Sequence, residues 1–227
     1  MTGSAASIRS WPNGKIVSSS RYVTKSALKF LVVVLAIFGA IGGLLRYFFI
    51  TPVVITDDGM APTILAGETV LMWKTTETPE FGDILVCRHP RSTGYVVGRF
   101  IARPGMVISA NRGSMRIDGH APDRNLQRTM NFTMHGETRP RQVIIGSEVV
   151  GIYDHPFMQD AQLGYRARDI RVRDGIFLMG DNRLPHSFDS RTYGVVDPTT
   201  CVGHVFMRWR TAPNRIEFEN GFLDVID

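Results

Sequence analysis

The polar string GDNRLPHSFDSRTYG, Gly180 to Gly194, holds the densest set of side chains able to do chemistry in this 227-residue chain. Gly180, Asp181 and Asn182 form a turn signal. Asp189 and Arg191 stand two residues apart, so on a strand they share a face and can pair, and Ser187 shares that face with them. Such a rigid loop can scaffold a site. A salt-bridged turn with no chemistry fits the spacing equally well. Elsewhere Asp57 and Asp58 are adjacent, which on a strand points their side chains apart and makes a poor aspartic dyad. Lys74 sits at a predicted strand end, where a solvated lysine is expected. The six histidines show no ligand spacing, so neither a metal site nor a cofactor is expected. Cys87 and Cys201 are far apart and in no metal-like cluster. Two buried free thiols is the preferred reading, with a single long-range disulfide as the alternative in an oxidising compartment.

The elements that must position these residues are mainly β. VVIT at 53–56, TVLMW at 69–73, DILVC at 83–87, YVVGRFI at 95–101, MRI at 115–117, GIFLM at 175–179 and HVFMRW at 204–209 predict strands. Pro62, Gly67, Gly82–Asp83, Pro104–Gly105 and Asp118–Gly119 predict turns, the last a hairpin. The segment 120–170 is rich in Arg, Asn, Gln and Met and predicts an inserted subdomain or long loops, within a broader insertion around 107–172.

Ahead of this domain, Phe30 to Leu45 carries no charge, and RYFFI follows to Ile50. At about 1.5 Å per residue, Phe30 to Ile50 spans roughly 30 Å, the thickness of a bilayer core. Arg46 can snorkel, and Tyr47 to Phe49 suit the interface. Arg9, Lys15, Arg21 and Lys25, with no acid among the first 26 residues, put the N-terminus in the cytoplasm and the domain outside. The predicted organisation is a disordered cytoplasmic tail over 1–26, an uncleaved single-pass anchor over 27–50, and an extracytoplasmic domain over 51–227. The net charge of +5 comes from 22 Arg and 4 Lys scattered without a basic run. A face toward acidic lipid or a solvated face is expected, and a nucleic-acid partner is not.

The string Gly180–Gly194 closely resembles the GDNRxxSxDSRxxG box of bacterial signal peptidase I, the serine–lysine leader peptidases. It departs at one point: three residues, Leu184 to His186, separate Arg183 from Ser187, where the family usually has two. The resemblance covers most of the chain, in order. GMAPTILAGETVLMWK is similar to the family's SMxPTL segment, with Met60, Pro62 and Thr63 in place. FGDILVCRHP, VVGRFIARPGMVI and MRIDGHAP are similar to the segments that follow, and VRDGIFLMGDNR leads into the final box. The resemblance implies a signal-peptidase-like antiparallel β domain with one N-terminal transmembrane helix, in a bacterial inner membrane, with the domain in the periplasm.

It also implies a site. In that family a serine attacks the scissile carbonyl, a lysine of depressed pKa is its base, and an amide N–H with a serine hydroxyl stabilises the oxyanion. The nucleophile position here is Gly59, the base position, just before Arg99, is Gly98, and the oxyanion serine position is Asp57. Gly180, Asp181, Asn182, Arg183, Ser187, Asp189, Ser190 and Arg191 remain as scaffold. The expectation is a catalytically inactive homologue, a pseudoprotease. Signal peptidases hold substrate as an added strand, through backbone groups that need neither serine nor lysine. The matching edges are Pro52–Asp57 and Tyr95–Arg99, with Val54, Ile55, Thr56, Val96 and Val97 at their centre, and Gly98 is expected to widen the groove. The partners expected are membrane lipid, a signal peptide or other extended peptide, or a larger membrane complex in which the chain is a subunit. The alternative is an active signal peptidase whose nucleophile and base are displaced to Ser187, Lys74 or the Asp57–Asp58 pair.

Overall fold

A computed structural model describes residues 20–74, 78–111, 114–162, 167–185, 188–213 and 224–226. The expectations for residues 1–19, His186 and Ser187 lie outside them. The chain divides into two units, residues 1–45 and 46–227.

The described part of the first unit is helical. Helix α1 spans Ser20–Phe48, and its stretch Lys25–Phe48 is long and apolar enough to cross a membrane. Its large apolar side chains, Leu, Ile, Val and Phe, are mostly exposed, and such a surface needs an apolar solvent. The helix stops before the predicted Ile50. The Lys74 amide donates to the Phe49 carbonyl, and Ile50 is already in register with Trp73, so the aromatic run turns from helix to strand.

The second unit is mainly β. In chain order its strands are β1 (Ile50–Val54), β2 (Thr69–Trp73), β3 (Ile84–Arg88), β4 (Tyr95–Ala102), β5 (Val107–Asn111), β6 (Ser114–Ile117), β7 (Arg124–Phe132), β8 (Arg141–Val150), β9 (Tyr153–Asp160), β10 (Ala167–Arg171), β11 (Phe177–Met179), β12 (Cys201–Arg210) and β13 (Asp224–Val225). A short helix, α2 (Ser190–Tyr193), precedes β12. The main sheet runs β1-β2-β12-β3-β4-β11, with β13 on β12. Every strand pairing in it is antiparallel. The apolar strand ILVC at Ile84–Cys87 is buried on both faces, and Ile84 and Val86 join Ile55, Met60, Ile64, Val70 and Val205 in one core cluster.

Two smaller antiparallel sheets complete the unit, β10-β5-β6 and β7-β8-β9. The predicted turn at Asp118–Gly119 follows β6: both residues have positive φ, 50° and 81°, and Ile117 and His120 pair across them. Segment 120–170 holds strands of eight to ten residues rather than long loops. Strand β7 reads as polar because most of its side chains are exposed, and so it shows no alternation.

The cysteines form a disulfide, against the preferred reading of two free thiols. Antiparallel pairing of β3 with β12 brings Cys87 opposite Cys201, a juxtaposition no local spacing announces.

Candidate functional site

The loop after β1 carries the first half of the site and is held by its own carboxylates. Asp58 is buried, and its carboxylate accepts the amides of Ala66 (2.9 Å) and His135 (2.5 Å), which closes the loop and ties it to the β7–β8 connection. Asp57 is exposed, and its Oδ1 accepts the Gly59 amide at 2.7 Å. The two side chains do diverge, but they do so from a turn rather than from the expected strand. Further along, Glu68 accepts from Arg208 Nε (3.2 Å) and from the Leu65 amide (3.0 Å), and Arg208 donates to the Thr63 carbonyl (2.6 Å).

The box 180–191 docks on this loop. Asn182 donates from its amide to the Gly59 carbonyl (3.1 Å) and from Nδ2 to the Asp58 carbonyl (2.9 Å). The Asp181 carboxylate accepts two bonds from Arg99, at 3.0 and 2.9 Å, and one from the Thr63 hydroxyl at 2.5 Å. Arg99 also donates to the Gly82 carbonyl at 2.6 Å. Arg183 pairs with Glu148, which Arg124 also holds at 2.6 Å. Residues 181–183 run beside β9, with the Met158 amide on the Asp181 carbonyl (2.9 Å) and the Arg183 amide on the Met158 carbonyl (2.6 Å). The segment that was illegible in sequence therefore buttresses the box.

Asp189 and Arg191 pair at 2.6 Å, as expected, but on a helix rather than a strand. Asp189 is the N-cap of α2, accepting the Arg191 amide, and its other oxygen accepts the Gly180 amide at 2.9 Å. The Ser190 hydroxyl accepts the Leu178 amide (2.9 Å), and Arg191 reaches the Asn182 carbonyl (3.0 Å).

These ion pairs set the charge states. Burial pushes the Asp181 carboxyl up, but Arg99, His155 and Arg183 together outweigh it and hold the group below its ordinary value. Glu148 behaves in the same way: burial raises it, and Arg183, His155 and Arg124 bring it far below the usual carboxylate range. Burial lowers the Arg183 guanidinium, with Glu148 and Asp181 opposing. Burial, then the charges of Asp189 and Asp57, push the Tyr193 hydroxyl above its ordinary value, so it remains a phenol.

The two glycines offered by the resemblance are both buried, and in both cases neighbours claim the space a side chain would need. A Cβ on Gly59 would lie 2.7 Å from Asp57 Oδ1. A Cβ on Gly98 would lie 2.9 Å from the Cβ of Leu178. Gly98 therefore does not widen a groove; strand β11 closes onto it. Gly180 is a third close approach, since a Cβ there would stand 2.2 Å from the Gly59 carbonyl oxygen.

Of the expected peptide edges, β1 pairs only with β2 among the described strands, so its outer edge is open along Ile50–Val54. Ile55 is instead tied to the segment after the loop, its amide on the Glu68 carbonyl. Strand β4 pairs with β3 along Tyr95–Arg99, and β11 covers its other edge only over Arg99–Ala102. Val96 and Val97 therefore lie where no described strand covers that edge. Beside Gly59 lies a cavity of about 290 Å³, walled by Thr56, Asp57, Met134, Leu184, Pro185 and Phe188 among others. Lys74 is no part of that wall; its ammonium donates to the Tyr47 carbonyl at 2.9 Å.

Sequence reasoning missed Glu148, His155, Tyr193 and the Glu68–Arg208 pair. His155 is fully buried, 3.5 Å from Glu148 and 3.7 Å from Asp181. Glu148 had one signal, a lone acid inside the strand sequence VIIGSEVV. Among the described residues no group of three or more His, Cys, Asp or Glu side chains is placed to hold a metal ion.

Residues 25–210 match the family model described as signal peptidase, peptidase S26. The chain is 29% identical over 178 residues to the probable signal peptidase I-1 of Synechocystis sp., covering 73% of this chain and 74% of that protein. It is 26% identical over 253 residues to signal peptidase I of Buchnera aphidicola, covering 86% and 79%. Among solved structures it is similar to a signal peptidase I from Enterococcus faecalis, 20% identical, with a TM-score of 0.33 over 57% of this chain and 98% of that one.

Proposed function

The chain belongs to the signal peptidase family, peptidase S26, and from that premise we propose that it holds an extended peptide in the family's groove without cutting it. One observation carries the reading. At both positions that resemblance gives to the reacting pair there is no side chain, and the vacated space is taken, by Asp57 Oδ1 at Gly59 and by Leu178 Cβ at Gly98. A nucleophile–base unit that loses either member loses several orders of magnitude in rate. The edges of β1 and of β4 at Tyr95–Val97, which no described strand covers, supply backbone groups for strand addition, which needs neither member.

The apolar N-terminal helix fits a single-pass membrane anchor. The basic residues Arg9, Lys15, Arg21, Lys25 and Lys29 support a cytoplasmic N-terminus and an extracytoplasmic domain at a bacterial inner membrane. A signal peptide or another extended segment is the ligand class this reading names, presented by itself or within a membrane complex.

The test incubates full-length protein in detergent with a broad set of preproteins, reading cleavage by mass spectrometry and peptide capture by crosslinking. Capture without cleavage is expected. Cleavage at a defined small-residue site overturns the reading and returns the search to Ser187, Lys74 and the Asp57–Asp58 pair. A second arm carries Asp57→Ser, Gly59→Ser and Gly98→Lys together with Leu178→Gly. Cleavage gained in that arm, and not in the triple variant that keeps Leu178, is the expected signature of a surviving groove.

A further inference from the structure

The cavity beside Gly59 has an uneven charge inventory. Its wall carries three carboxylates, Asp57, Asp58 and Glu137, and one guanidinium, Arg141, with His135 alongside. Two of these charges are already engaged with each other: Arg141 holds Glu137 through two bonds, at 3.1 and 2.9 Å. Asp58 is buried and spends its two oxygens on the amides of Ala66 and His135. Asp57 differs from both. It is exposed, it stands beside Gly59, and its Oδ1 accepts the Gly59 amide, which occupies that donor. The nearby cations outside the wall are likewise engaged, Arg191 with Asp189 and Asn182, Arg99 with Asp181, and Arg183 with Glu148.

We propose that Asp57 is a specificity-determining residue that makes this site accept continuous polypeptide and reject a chain that ends there in a free carboxylate. The inference rests on the peptide-holding reading above and names its ligand class more closely. A peptide carboxylate arriving at Gly59 meets the Asp57 carboxylate at close range, finds the amide donor already taken, and finds the one guanidinium among the described wall residues, Arg141, already paired with Glu137. Like charges in contact repel even where solvent reaches them, and a bound chain removes part of the water that screens this pair. An uncut chain brings a neutral amide to the same place and can donate its N–H to the second oxygen of Asp57. The apolar part of the wall, Met134, Leu184, Pro185 and Phe188, suits the small or apolar side chains of such a segment. A holder built in this way keeps intact chains and releases ones that have been cut.

The test uses the full-length protein in detergent and a nested set of fluorescent extended peptides rich in Ala and Leu. The set is shortened one residue at a time, and each member is made twice, as a C-terminal carboxylate and as a C-terminal amide. For the member whose end falls at Gly59, the amide form is expected to bind at least tenfold more tightly than the carboxylate. In Asp57→Asn, which keeps an oxygen for the Gly59 amide, the gap is expected to shrink to about twofold at unchanged thermal stability. Equal binding of both forms throughout the set by the native protein overturns the inference and leaves the peptide-holding reading standing. A gap that persists undiminished in Asp57→Asn also overturns it. Failure of every member to bind removes the reading and the inference together.

Discussion

The two halves of the site are built in opposite ways. In the box, Asp181 pairs with Arg99 of β4 and Asp189 with Arg191, in buried or half-buried ion pairs, and Asn182 reaches across to the loop. Gly59 and Gly98 carry no side chain, and a Cβ at either would meet a neighbour, Asp57 Oδ1 at 2.7 Å or the Leu178 Cβ at 2.9 Å. The difference gives one reason for a polar residue to persist. The box residues satisfy buried charges and backbone amides, so their loss endangers the fold whatever the protein does.

The largest expected effect comes from breaking the box. Asp181→Ala strands the fully buried Arg99 and is expected to cost about 3–5 kcal/mol in chemical denaturation, close to the whole stability of a marginal domain. Acid probes the same network without mutation. Asp181 and Glu148 titrate below the value of about 4 that carboxylates have in an unfolded chain. Their contribution is present at all pH values above that and is lost as the pH falls toward the folded values. Thermal unfolding is expected to be flat from about pH 5 to 8 and to fall steeply below about pH 4.

Next in size is Gly180→Ala, whose Cβ meets a backbone carbonyl at 2.2 Å. Overpacking against main chain is expected to cost about 3 kcal/mol by the same denaturation assay. Gly98→Ala is expected to cost about 1–2 kcal/mol, because its obstacle is the Leu178 Cβ, near the root of a buried side chain. That obstacle survives in Leu178→Ala and vanishes only in Leu178→Gly. A double-mutant cycle with the glycine, and not with the alanine, is expected to recover about 1 kcal/mol. Gly59→Ser is expected to be the mildest, at about 0.5 kcal/mol or less, since the obstacle is the tip of an exposed side chain that can swing away. If Gly59→Ser proves as costly as Gly180→Ala, the contrast between the two halves fails.

How much of this was legible depended on where each signal resides. The box, the anchor and the strands at 69–73, 83–87 and 95–101 announce themselves through local pattern, and the structure places a strand over each of those stretches. Asp189 had a helix-start signal that was overlooked: an N-cap acid with Gly194 ending the turn. The sheet β7-β8-β9 was illegible because β7 turns its polar side chains outward and the apolar face is largely on β8 and β9. The grip of Leu178 on Gly98 and of Asp57 on the Gly59 amide concerns distances between atoms, which no spacing rule encodes. Leu184, one of the three residues between Arg183 and Ser187, is buried with Ala61, Leu65 and Phe132 and takes up core volume.

The link between Cys87 and Cys201 joins residues 114 apart and encloses β4 through β11 with α2 in a single covalent ring. Closing a ring of about that size removes disorder from the unfolded chain equivalent to roughly 4–5 kcal/mol in the chain-entropy account. A polypeptide newly made among reduced thiols lacks that gain. Its maturation therefore needs an electron acceptor, and the folded lifetime of everything inside the ring, Gly98 and the whole box included, becomes tied to the oxidising capacity of the place where the chain matures.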